Sequence, residues 1–337
     1  MGNLINSTAK VFPNRSTGYA KPGVVRTSGG RLYVGHYNAS GHLEIFRSDN
    51  NGQSWTLDET FTDASDYLSM AVDNLDNVYV AYCKGLVAPV DLVVHKRDNG
   101  TATWTEILSE EVDMDSQLPF IRFNPTSNYL FLIWYTLDGS NNGTVTWKYS
   151  TDYGTSFSTA QEASSTFDNS HLLTSVNAQH QPSSGLIVVH LTRWGAAGRW
   201  TINSDGSAGS TSGISSLHFS QSYYGASAVY DMNGVIYSIG VTDDSTTVIY
   251  RHTTSIGSTS AVLHGNITCG VDGDNNAYFF YTKSADNKCY CRKYTALTET
   301  LGDEFAVSEG QGLRPTCEER SLPLSQSLHL TYFSTNE

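Results

Sequence analysis

The sequence predicts an all-β fold: a single seven-bladed propeller whose ring is closed by its own N-terminal strand, with a six-bladed ring as the alternative. Three observations lead there. One pattern recurs seven times, a small-residue strand, a polar turn, a strongly apolar strand ending in aromatics, then a third strand. The matching second-strand positions Tyr33, Tyr79, Phe131, Ile187, Tyr237, Tyr278 and His329 are spaced by 46, 52, 56, 50, 41 and 51 residues. A period near 40 to 50 with about four strands per unit is what a propeller blade requires. The composition agrees, because 16% charged residues among abundant Gly, Ser, Thr and Asn suit short strands joined by many turns.

Taken in order, the blades are read at about 20–65, 66–116, 117–169, 170–220, 221–263, 264–310 and 311–337, the last completed by residues 8–13, so that 1–337 is one domain. The segments that carry them run from PGVVRTSGGRLYVGHY in the first to RPTCEERSLPLSQSLHLTYF in the seventh. Continuous apolar runs such as YLFLIWY read as inner strands buried on both faces. Alternating runs such as TVTWKYS read as outer strands. A four-stranded blade cannot cover its own two faces, so neighbours must do so. Ring closure by TAKVFP removes the open edge that a linear stack would leave.

The net charge of −13 argues against a nucleic-acid partner, since phosphate binding needs clustered Lys and Arg. No run of about 18 apolar residues is present, so membrane insertion is not expected. The start MGNLINSTAKVF has no apolar signal segment, and Asn6 stands where a myristoylation pattern wants Ser or Thr. The expected location is a virion or the outside of a cell after non-classical release, ahead of the cytoplasm. The five cysteines, Cys83, Cys269, Cys289, Cys291 and Cys317, form no disulfide framework. Cys289 and Cys291 share a strand face and read as buried thiols, with a zinc site as the rival. No cofactor is expected.

Two turns stand out. Ser48-Asp49-Asn50-Asn51-Gly52-Gln53-Ser54-Trp55 follows the third strand of the first blade, and Ser150-Thr151-Asp152-Tyr153-Gly154-Thr155-Ser156-Phe157 that of the third. Asp98-Asn99-Gly100 with Trp104 is a looser version in the second. In each a short polar side chain can bond the turn backbone, Gly can take positive φ, and the aromatic plugs the blade. These turns resemble the Asp-boxes of the sialidase-like BNR-repeat superfamily. Ser48, Asn50, Gly52, Trp55, Ser150, Asp152, Gly154 and Phe157 match its pattern, with Asn50 in the place of the Asp. The resemblance implies that they are structural and lie opposite the functional face.

That face gathers the loops between second and third strands and those leading into each first strand. They carry His42, Lys84, Arg193, Trp194, Lys283 and Lys288, together with Lys21, Asp66, Tyr67, Gln117, His171, Tyr223, Tyr224, His264 and Arg314. Converging cations and aromatics suit an anionic, sugar-like ligand. Lys21, Lys84, Arg193, Trp194 and Lys283 are the binding candidates. Trp194, in the Gly/Ala-rich RWGAAGRW, is the pointed one, against a loop anchor, whereas Trp200 reads as core. Ordinary solvated loop residues are the competing reading.

Two enzyme families that the resemblance brings in can be compared residue by residue. Sialidases share an Arg-Ile-Pro segment in the first blade and an arginine triad. Here Tyr19-Ala20-Lys21-Pro22 puts Ala20 where the Arg belongs, and no triad assembles, so sialidase activity is not expected. BNR-type polysaccharide lyases use His, Tyr and Arg, to neutralise a uronate and remove the adjacent proton. Asp168-Asn169-Ser170-His171 resembles their segment, and Tyr223, Tyr224, His264 and Arg314 complete a candidate catalytic set, although a turn-capping His171 is the simpler reading. Asp272-Gly273-Asp274-Asn275-Asn276 lacks the distal Glu of a calcium loop and reads as a plain turn.

The expected function is therefore non-catalytic: glycan recognition, or assembly within a larger shell such as a virion or phage tail, with other proteins as partners. The rivals are a carbohydrate-active enzyme, a lyase or diverged glycosidase on an acidic polysaccharide, and a protein-interaction platform.

Overall fold

The computed structural model describes residues 23–64, 68–85, 89–112, 119–137, 142–163, 167–168, 173–193, 196–213, 226–241, 245–307, 313–317 and 330–333. Every regular element among them is a strand, and the strands fall into consecutive antiparallel sheets. The first holds Gly23–Arg26, Leu32–Tyr37, Leu43–Ser48 and Thr56–Phe61. The second holds Leu68–Val72, Val78–Lys84, Val90–Arg97 and Trp104–Val112. The third comprises Phe120–Asn124, Tyr129–Leu137 and Asn142–Ser150, edged by the short Gln161–Glu162 and Phe167–Asp168. The fourth is built from Leu173–Gln181, Leu186–Arg193, Ala196–Ile202 and Ala208–Gly213. Ala226–Tyr230, Ile236–Val241, Thr247–Arg251 and Thr254–Thr259 make the fifth. The sixth has Val262–Val271, Ala277–Lys283, Cys289–Thr295 and the short Thr300–Leu301 and Phe305–Ala306.

Leu313–Cys317 and Leu330–Phe333 pair as a further two-stranded sheet. The first strands of successive sheets touch in a closed cycle, Leu313–Cys317 bridging Val262–Val271 and Gly23–Arg26. The molecule is an all-β propeller. Among the described residues six blades are complete, the number of the alternative reading. Seven complete blades, the main expectation, are not what they show, because the last sheet holds only two strands. Residues 8–13, expected to complete it, lie outside the described residues. The sixth sheet begins at Val262, so the step from the fifth falls slightly before 263–264.

Between sheets the core is close-packed and aromatic. The run Leu130 to Tyr135 is buried on both faces, as its unbroken apolar character implied. TVTWKYS is not outermost: Asn142–Ser150 lies inside Gln161–Glu162, with Val145 and Trp147 in the core. Ser69 Oγ accepts the Ile121 amide at 3.2 Å and Ser227 Oγ the Cys269 amide at 3.2 Å, so inner strands are stitched directly to the next sheet. Arg97, 2% exposed, sits over the Tyr33 ring with its Nε 2.7 Å from Asp58. Burying that guanidinium is tolerable because the carboxylate is buried with it.

One expected equivalence fails, for a geometric reason. Tyr33, Tyr79, Phe131 and Tyr237 pack toward the following sheet, and Tyr278 takes the same side of its own. Ile187 instead packs back against Phe131 and Ile133 of the third sheet. The turn joining first and second strands spans four residues in the fourth sheet (Gln181 opposite Leu186) but five in the first, second, fifth and sixth. A one-residue change turns every side chain over. Phe131 follows an equally short turn, and its structural equivalent is Val188, two residues after the pairing start in both sheets.

Candidate functional site

The two conspicuous turns are built alike. Ser48 Oγ accepts the Gly52 amide at 2.8 Å, and Asn50 Oδ1 accepts the Ser54 amide at 2.8 Å. Ser150 Oγ accepts the Gly154 amide at 2.8 Å, while Asp152 takes the Ser156 amide at 2.9 Å and its hydroxyl at 2.6 Å. Gly154 has φ 85° and lies so close to Ile107 that a Cβ would meet it at 2.5 Å, so only glycine fits. Those side chains are occupied in holding the backbone. The same is true of Asp272, whose carboxylate accepts the Asp274 and Asn276 amides and the Tyr278 hydroxyl, as Asp73 does for Leu75, Asn77 and Tyr79. Cys289 and Cys291 are buried together with Phe280 and Val307. Trp200 is core, at 1% exposure.

Of the residues expected on the functional face, Lys21, Trp194, His171, Tyr223 and Tyr224 lie outside the described residues. Arg193 ends the second strand of the fourth sheet, paired with Ala196, and Arg314 is the second residue of Leu313–Cys317. His264 is not in a loop leading into a strand but inside Val262–Val271, where the register shifts between Val262 and Ile267.

Lys84 and Lys283 occupy equivalent places, each closing a second strand two residues after a tyrosine. Lys84 Nζ is 2.9 Å from Asp63 and 3.6 Å from Glu106. Tyr82 Oη contacts the same Asp63 at 3.3 Å and His95 Nε2 at 3.1 Å. At the sixth sheet Lys283 and Tyr281 both bond Glu304, which also accepts from Thr259 of the fifth sheet at 3.3 Å. Lys283 Nζ lies 4.9 Å from the Tyr290 ring, itself tethered to Asp286 by a 2.7 Å bond. Partial burial raises the Asp63 and Glu304 carboxyls, but their lysines outweigh it and hold both below the ordinary range. Burial first, then the adjacent carboxylate, pushes Tyr82 and Tyr281 up, so both hydroxyls remain donors. Lys84 and Lys283, expected to be free for an anion, are thus already paired within the chain.

The seam between the fourth and fifth sheets carries a constellation that the sequence reading missed. His190 and Arg199 are direct cross-strand partners. Gln179 is one register step away, opposite Val188, on the same face. The hydroxyl of Tyr230, from the fifth sheet, lies 3.5 Å from His190 Nε2 and also bonds Arg199. Burial, and then Arg199, pushes the His190 imidazolium down to about 3, so the ring is neutral. His190 Nδ1, Arg199 Nε and Gln179 Nε2 are buried without a hydrogen-bond partner. The sequence signal was available: a His within VVHLT and an Arg within AAGRWTI interrupt runs that are apolar at the matching positions elsewhere.

The fold and these contacts define a β-propeller with polar, ionisable clusters set between its blades. No family model matches the chain, and no curated protein matches its sequence. Solved structures do. A Hadza microbial sialidase, Hz136, is 14% identical over 83% of this chain and 66% of its own, with a TM-score of 0.55. The polysaccharide lyase Uly1 is 9% identical over 99% and 91%, with a TM-score of 0.55. The Aleuria aurantia lectin, a six-bladed propeller with its own mode of fucose recognition, is 12% identical over 87% and 80%, with a TM-score of 0.51. At such identities the likeness is one of fold.

Proposed function

We propose that this chain is a carbohydrate-recognising propeller that binds glycan at its second-strand rim without turning it over. The observation that carries the reading is the repeated cluster at Tyr82–Lys84–Asp63 and Tyr281–Lys283–Glu304. Sugar hydroxyls need donors and acceptors side by side, which a lysine–carboxylate pair supplies. Their C–H faces pack on aromatic rings, and Tyr290 is fixed beside Lys283. Binding is favoured over catalysis because a general acid needs a raised carboxyl pKa, whereas Asp63 and Glu304 are lowered. The solved relatives in fold include a sialidase, a lyase and a lectin, which is consistent with a carbohydrate role.

We also read 1–337 as one ring in which residues 8–13 complete a seventh blade, and the Ser48 and Ser150 turns as Asp-boxes. A place outside the cell or in a virion or phage tail fits the binding role. The test is a glycan panel with the intact protein, Lys283→Ala and Lys84→Ala. Glycan binding that each variant weakens supports the reading; a panel with no binder overturns it.

The second reading is an enzyme, favoured by one observation: a neutral His190 next to the Tyr230 hydroxyl and Arg199. Release of unsaturated products from a uronate polysaccharide, lost in Tyr230→Phe, establishes that reading instead.

A further inference from the structure

The seam between fourth and fifth sheets departs from the rest of the molecule in a way that packing does not explain. In each complete blade the second and third strands meet in a direct pair one layer beyond the aromatic position. Those pairs are Gly35 with Ile45, Ala81 with Val94, Ile133 with Trp147, Ile239 with Ile249 and Phe280 with Cys291. All are apolar or small. In the fourth blade alone the pair is His190 with Arg199. The aromatic below it is also gone: Tyr33, Tyr79, Phe131, Tyr237 and Tyr278 correspond to Val188, a much smaller side chain. The fourth blade gives up ring volume in its seam and places two ionisable groups in the next layer.

Hydrogen-bond chemistry fixes what those groups want. A guanidinium can only donate, so Tyr230 Oη accepts from Arg199 and its own proton turns to His190 Nε2. The neutral imidazole then carries its proton on Nδ1. Three unpaired nitrogens remain, Arg199 Nε, His190 Nδ1 and Gln179 Nε2, and all three are donors. His190 is 5% exposed and Gln179 is 3% exposed, so bulk water reaches neither, while Arg199 is only half-buried. Unsatisfied buried donors are costly, and a buried cation without an anion more so. Other guanidinium groups have a carboxylate partner: Arg97 has Asp58, and Arg251 has Glu299 at 3.0 Å, although Arg251 Nε is also without a hydrogen bond. Among the described residues no carboxylate pairs with Arg199.

We propose that this seam binds a carboxylate, the acid group of a uronic or similar acidic sugar, held by Arg199, His190 and Gln179. The carboxylate offers acceptors to all three donors and neutralises the guanidinium. The acidic-sugar identity rests on the glycan reading above; the carboxylate site does not. It makes the fourth blade the specificity element, selecting acidic over neutral glycans that the lysine–carboxylate clusters accept alike.

Glucuronate, its methyl ester, glucose and acetate serve as probes of the intact protein, read by thermal shift and by the Arg199 Nε–H resonance. Glucuronate is expected to raise the melting temperature and move that resonance, whereas the ester and glucose should leave the Arg199 resonance in place. Arg199→Gln should weaken glucuronate about ten- to hundred-fold, the range of one charge-assisted hydrogen bond. Because that variant can misfold, His190→Ile with Arg199→Val, which restores the apolar pattern, is the second: it should fold and not bind. Glucuronate without effect on the intact protein, or bound undiminished by both variants, overturns the proposal. Acetate bound more tightly than glucuronate overturns the sugar part of it. Glucuronate binding through Arg199 with an empty glycan panel refutes the glycan reading and supports the site. Neutral glycans bound through Lys283, with glucuronate indifferent to Arg199, do the reverse.

Discussion

His190 lies directly opposite Arg199 on adjacent strands, on the sheet face that the other complete blades fill with apolar pairs. A buried polar pair in an apolar layer is retained at a cost to stability. Restoring the apolar pattern with His190→Ile and Arg199→Val should therefore stabilise the fold, by about 1–4 kcal/mol on the precedent of buried ionic groups replaced by packed hydrophobes. Urea unfolding measures it. A variant less stable than the parent contradicts the assignment.

The same histidine sets a pH dependence. In the unfolded chain it protonates near the ordinary imidazole value of 6.5, whereas in the fold burial and Arg199 lower it to about 3. The unfolded state therefore binds the extra proton first as pH falls. Stability from this group is intact above pH 6.5 and is lost progressively between 6.5 and 3. The slope of stability against pH in that window should be shallower in His190→Ile, and the His190 ring signals of the parent should not titrate down to pH 5.

The all-β class, the blade-by-blade repeat and the buried YLFLIWY strand were legible because period-two patterning and turn residues are local signals. The register of the fourth blade was not, since it depends on one turn being a residue shorter, which flips Ile187 and brings Val188 into line with Phe131. His190 and Arg199 are each legible as a polar break in an apolar run, but without that register they cannot be seen to oppose one another. Lys84 and Lys283 were found as rim residues, but their pairing with Asp63 and Glu304 depends on outer-strand and loop positions that sequence spacing does not reveal.

Asp152 is a structural acid. Bonds from Ser156, then Ser150, hold its carboxyl down to about 2. Asp152→Ala removes them and should lower stability by about 1–3 kcal/mol, whereas Asn50→Asp in the matching turn should be close to neutral. Because the folded carboxyl is depressed below the ordinary value of 3.8, its contribution is present above that pH and disappears as pH falls toward 2. Denaturant titrations at pH 7 and pH 3 check both statements, and equal losses for Asp152→Ala at the two pH values count against them.

The thiols should be silent in the native protein. Cys83, Cys269, Cys289 and Cys291 are buried, and burial pushes Cys83 up to about 12 and Cys289 and Cys291 upward as well. A pulse of iodoacetamide read by mass spectrometry should label none of the four until the chain is unfolded. Labelling of Cys289 or Cys291 in the folded protein contradicts the packing described for the sixth sheet.

The most direct test of the central claim is a crystal structure of the protein soaked with glucuronate, viewed at the seam between the fourth and fifth sheets. The account predicts a carboxylate within hydrogen-bond distance of Arg199 Nε, His190 Nδ1 and Gln179 Nε2. A seam holding only water, or an acidic side chain of the protein itself against Arg199, contradicts it.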